Sequence, residues 1–138
     1  MATENDRGTR VFLGFETVVW LPYGIYCFFN PSYLAGSAGV AFLSPTGSTE
    51  LRAMYGGLQV AIGALSLAGA LNPSLARTAL IALAFLCSGL GGTRLLGVLL
   101  DGGLSAYTIF GLLFEFVSAT FAIRLLRRTR LMSGSLLR

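Results

Sequence analysis

The chain has 138 residues, of which 54% are hydrophobic and 12% charged, about half the charged content of ordinary soluble domains. Apolar runs continue around every helical face for about 20 residues, which excludes a soluble helical domain and makes lipid the solvent. All ten basic residues are arginine, with no lysine or histidine. That rules out histidine ligation of a b-type haem, a histidine-based metal site, a Ser/His or Cys/His pair, a lysine Schiff base and a P-loop.

Residues 1–10 are polar, and the first expected span runs over 11–29, with Trp20, Tyr23 and Tyr26 toward its outer end as an aromatic belt and Pro22 as an expected kink. Arg7 and Arg10 before the run and the small residues 35–38 after it resemble a signal peptide. The run is longer than such an h-region, however, and contains Glu16 and Pro22, so a retained span is expected. Residues 30–49 form a connection rich in Pro, Ser, Gly and Thr, in which 40–43 is apolar but too short to cross. The second span is expected over 51–71, ended by Asn72-Pro73. The third occupies 76–100 and is closed by Asp101-Gly102-Gly103, and the fourth covers 104–126 ahead of an arginine-rich tail at 127–138. Cys27 and Cys87 fall at depths roughly 9 Å apart at 1.5 Å per residue, so no disulfide between them is expected.

The fold class that follows is all-α: one transmembrane four-helix bundle with a longer outer loop between its first two helices. Arg7, Arg10, Arg77 and the tail arginines Arg124, Arg127, Arg128, Arg130 and Arg138 all fall on one side. By the positive-inside rule that side is cytoplasmic, giving a multi-pass inner-membrane protein with both termini inside. The net charge of +4 is explained by this topology, and no nucleic-acid partner is expected.

Charges within spans cost about 2.5–3.5 kcal/mol each on insertion scales, so each needs a partner or a purpose. On the second helix Arg52, Gly56, Gln59, Gly63, Ser66 and Ala70 lie within about 80° of arc. Glu50, Gly57, Ala61, Ala64 and Ala68 form a small-residue face across it, suited to a second packed neighbour. Arg94 lies about 25 Å along the third helix from Arg77, with Asp101 two turns above on the same face and open to pairing with it. Glycines 89, 91, 92, 97, 102 and 103 surround the two and permit close approach. On the fourth helix Thr108, Gly111, Glu115, Ser118 and Ala122 share a face, and Glu115, near the midplane, must meet an arginine such as Arg52 or Arg94, or be protonated. Glu16, Trp20, Tyr23 and Cys27 share a face of the first helix, with Arg124 as an expected partner for Glu16. Glu50, Arg52, Tyr55, Gln59, Arg94, Asp101 and Glu115 are therefore the candidate ligand-binding set, expected to converge toward the outer side. A buried ion-pair network that only fixes helix register is the competing reading.

The stretch from Glu50 to Gln59 (ELRAMYGGLQ), with Thr93-Arg94-Leu95-Leu96-Gly97, Asp101-Gly102-Gly103-Leu104-Ser105 and a late Glu115, resembles a family of small bacterial four-span membrane proteins known only as a domain of unknown function. The architecture is loosely similar to DoxX-like four-helix proteins. The family resemblance covers about 13–126 and draws attention to Glu50, Arg52, Gln59, Arg94, Asp101 and Glu115, but it implies no activity. No cofactor is identifiable, no metal site is expected, and nothing in the spacing singles out a catalysed reaction. Three functions remain open: binding of a small amphipathic or lipid-like ligand between helices; service as an accessory or assembly subunit, with membrane lipid, a membrane-protein partner or a second copy as the partner; and a proton-coupled carrier using Glu115 and Asp101.

Overall fold

Four apolar helices and two short connections make up the computed structural model, which describes residues 2–135, with side chains over 7–128. Helix α1 (Ala2–Phe29) runs through Pro22 without ending. The connection after it is more helical than its Pro/Ser/Gly content suggests: α2 (Tyr33–Ala38) tucks Leu34 inward and stops at Gly39, whose φ of +70° is left-handed and suits glycine. The second span begins at Pro45, six residues before the expected start at Leu51, because Ser44 caps it. The Ser44 side chain accepts from the Gly47 N–H, and proline at the first helical position needs no N–H partner.

From Pro45 the chain is helical to Leu71. It comprises α3 (Pro45–Leu51), a π-helical segment (Arg52–Gly57) and α4 (Leu58–Leu71). Asn72 ends this span and starts α5 (Pro73–Asp101), its side-chain oxygen accepting from Ser74 N–H at 3.0 Å. Gly102, at φ +68°, terminates α5, and α6 (Ala106–Ser135) returns through the bundle. The arginine-bearing tail continues this last helix at least to Ser135; Arg138 lies outside the described residues.

Each of the four helices is long and apolar enough to cross a membrane. Their outward faces carry large apolar side chains such as Val18, Leu71, Phe85, Leu99 and Phe110, each more than two-thirds exposed, a surface that water would not tolerate and lipid would. Inside, Leu13, Leu80, Leu83, Cys87 and Ala122 form the packed centre. Both cysteines are buried and free.

Small residues set the helix spacing on one side of the bundle. A Cβ on Gly24 would lie 2.7 Å from the Val60 nitrogen, and one on Gly63 2.7 Å from the Leu21 nitrogen, so α1 and α4 touch backbone to backbone. The polar stripe Gly56, Gln59, Gly63 and Ser66 is accordingly buried. The opposite stripe is not packed as expected: Glu50, Gly57, Ala61 and Ala64 are exposed, because α4 contacts α1 and α5 on its other faces. Helix α1 meets α4 closely and α5 meets α6 closely, whereas α1 and α6 meet at few places. That loose seam leaves room for two cavities, one toward each end of the bundle.

Candidate functional site: a paired-charge cavity between four helices

Arginine and glutamate meet across the α5–α6 interface. Arg94 Nε donates to both Glu115 oxygens, at 3.0 and 3.2 Å, and Nη2 donates to Oε1 at 2.7 Å, a side-on fork. Glu115 is 4% exposed and Arg94 28%. Neither charge is stable alone in hydrocarbon, and the fork makes the couple formally neutral. Two glycines make this possible. A Cβ on Gly111 would lie 3.0 Å from Arg94 Nε and 3.1 Å from Cζ, so the guanidinium rests on bare α6 backbone. Gly91 lets Glu115 approach α5, where an added Cβ would stand 3.4 Å from Glu115 Cβ.

Above the pair the Tyr107 ring lies 5.9 Å from the Arg94 guanidinium carbon, within cation–π range. Tyr107 and Tyr23 share a hydroxyl–hydroxyl hydrogen bond of 2.8 Å that ties α6 to α1. These groups, with Trp20, Tyr55, Gln59 and Phe114, line a cavity of about 650 Å³ reached by all four spans. Its volume falls within the range of small-molecule sites, and its walls are mostly apolar or aromatic with a few convergent polar groups. One of those groups is unsatisfied: Gln59 is buried, and its side-chain oxygen has no hydrogen-bond partner among the described residues.

Of the seven candidate residues, Tyr55, Gln59, Arg94 and Glu115 line this cavity; Glu50, Arg52 and Asp101 do not. The π-helical segment explains Arg52. Its i→i+5 bonding accommodates an extra residue, so counting at 100° per residue across 52–57 slips by about one position. Arg52 instead donates from Nη1 to the Phe28 carbonyl in the last turn of α1 and lies 5.7 Å from the Phe28 ring centroid, a cation at a helix C-terminus. Glu50 is exposed on α3. Asp101 is the exposed last residue of α5, and Arg94 turns across to Glu115 rather than up toward it.

Glu16 is fully buried, but not with Arg124. Its carboxylate accepts from Trp20 Nε1 at 2.8 Å and from Ser118 Oγ at 2.7 Å, bridging α1 to α6 below the cavity. Tyr107 escaped the sequence reading. Its signal was the spacing Tyr107, Gly111, Glu115, which places a phenol, a gap and a carboxylate one turn apart on one face.

Fold and site together define an integral membrane protein of the helical, multi-pass class, with its polar groups turned into an interhelical cavity. Residues 8–126 match the family described as domain of unknown function DUF4345, and the chain belongs to that family. No match to the chain was found among curated proteins or among solved structures.

Proposed function

We propose that this protein binds a neutral amphiphile with a hydroxyl-bearing head in the cavity beside Arg94 and Glu115, and that Gln59 selects the head. The observation that carries the reading is Gln59, a cavity-lining residue whose buried side-chain oxygen has no hydrogen-bond partner among the described residues. A buried acceptor without a donor costs about 1–3 kcal/mol, and a ligand O–H recovers that energy once the Gln59 amide turns toward the cavity to meet it. The arginine is already neutralised by Glu115 through Nε and Nη2, which disfavours an anionic head, while Nη1 takes no part in the pairing and suits an ester or carbonyl oxygen. The aromatic walls suit an acyl or ring portion.

The excess of arginines at one end of the bundle supports an orientation with both termini cytoplasmic. Trp20 is the only tryptophan and lines the cavity, so it serves as a reporter. In nanodiscs, monoolein should produce a saturable change in Trp20 emission, weakened roughly tenfold by Gln59→Leu, whereas oleate should bind more weakly than monoolein. No saturable change, or equal titration of wild type and variant, would overturn the proposal.

A second reading draws support from the exposed small-residue stripe Gly57, Ala61 and Ala64, which suits docking of another span in an accessory-subunit role. The carrier reading has less support, since both Glu115 oxygens are engaged by Arg94 and Asp101 lies outside the cavity.

A further inference from the structure

The second cavity, about 520 Å³, opens in the α1–α6 seam toward the arginine-bearing end. Its walls are Phe12 and Phe15 of α1 and Val117 and Phe121 of α6, and Arg124 and Arg128 also line it. Phe12 and Phe121 stack with centroids 6.0 Å apart. Phe15, Val117 and Phe121 are about half exposed, so the groove is open sideways to lipid. Arg124 and Arg128 are four residues apart, one helical turn on the same face, and both are exposed.

Glu16 and Ser118 close the inner end. Arg124 stands six residues beyond Ser118, about 9 Å along the helix, and Arg128 about 15 Å. An anion held between the arginines is therefore well separated from Glu16, whose oxygens already accept from Trp20 and Ser118. Arg7, Arg10 and Arg77 lie at the same end and add to the positive potential.

An apolar groove open sideways between two spans and rimmed by two cations at the end of the α6 span has the chemistry of one lipid class. We propose that this seam binds an anionic glycerophospholipid, with its phosphate between Arg124 and Arg128 and one acyl chain along Phe12, Phe15 and Phe121. Basic pockets between spans at the arginine-rich side of a membrane protein recognise such headgroups by charge. The site is separate from the Arg94–Glu115 cavity: the two share no lining residue, and the layer of Trp20, Glu16 and Ser118 lies between them.

The test is native mass spectrometry of the full chain released from nanodiscs containing equal parts of phosphatidylglycerol and phosphatidylcholine. Wild type should retain one phosphatidylglycerol under activation that strips phosphatidylcholine. Arg124→Gln with Arg128→Gln should lower that retention roughly tenfold or more. Arg7→Gln with Arg10→Gln, which removes the same charge away from the groove wall, should leave it within about twofold. Equal loss in both double variants would mean diffuse surface attraction and overturn the proposal, as would displacement of the lipid by millimolar inorganic phosphate or equal retention of the two lipids. Far-UV circular dichroism of each variant confirms that the bundle is intact.

Discussion

Replacing Arg94 with leucine tests the paired-charge core. The substitution leaves Glu115, 4% exposed, without its three hydrogen-bonded contacts. Removing one partner of a buried pair costs about 3–5 kcal/mol, chiefly because the other charge is stranded. Glu115→Leu should cost less, about 1–3 kcal/mol, because Arg94 is 28% exposed and its long side chain can turn its head toward water. The double variant strands nothing and should fall within about 1 kcal/mol of wild type. The pair's coupling energy would then be about 3 kcal/mol or more. Reversible unfolding by added dodecyl sulfate in mixed micelles, followed by far-UV circular dichroism and by Trp20 emission, yields all four stabilities. Losses that simply add, or an Arg94→Leu variant as stable as wild type, would refute the reasoning.

Gly111→Ala places a carbon 3.0 Å from Arg94 Nε, so it should destabilise by about 1–3 kcal/mol and reproduce part of the Arg94→Leu effect. Gly92→Ala, where an added Cβ meets nothing within 4 Å, should be near neutral in the same unfolding assay. Gly63→Ala drives a methyl to 2.7 Å from the Leu21 nitrogen; backbone cannot yield as a side chain does, and a loss of about 1–3 kcal/mol is expected. Ser118→Ala removes the donor to Glu16 Oε1 and should cost about 1–3 kcal/mol, with loosening of the α1–α6 seam read as faster amide exchange at 16–20. Asn72→Ala deletes the cap that accepts from Ser74 N–H and should cost about 1 kcal/mol without altering Trp20 emission.

The four helices were legible because lipid imposes one rule on all of them: long apolar runs, interrupted where chain chemistry forbids helix. Asn72-Pro73 and Gly102 mark such interruptions in sequence and in structure alike. The inward faces of α1 and α6 were also legible, since Glu16, Trp20 and Cys27, and likewise Glu115, Ser118 and Ala122, recur at helical spacing and are buried. Periodicity says which residues share a face, but not which helix that face meets. Hence Glu16 was expected to meet Arg124 and instead meets Trp20 and Ser118, and the Gly57, Ala61, Ala64 stripe was expected to pack and is exposed. The π-helical segment at 52–57 left no pattern that a 3.6-residue repeat detects, and it removed Arg52 from the expected cluster. The early start at Pro45 was signalled by Ser44-Pro45, a capping pair inside a stretch whose Gly and Ser content suggested loop.

The claim on which the account turns is that the cavity between the four spans, and not the outer surface, is where a neutral amphiphile binds. A photoreactive monoacylglycerol with a diazirine in its chain, incorporated into nanodiscs with the wild-type protein and mapped by peptide mass spectrometry, tests it directly. Saturable labelling of Trp20, Tyr55 and Phe114, competed by monoolein and weakened in Gln59→Leu, is the expected result. Labelling confined to lipid-facing positions such as Ala61, Phe85 and Leu99, unaffected by competitor or variant, would contradict it.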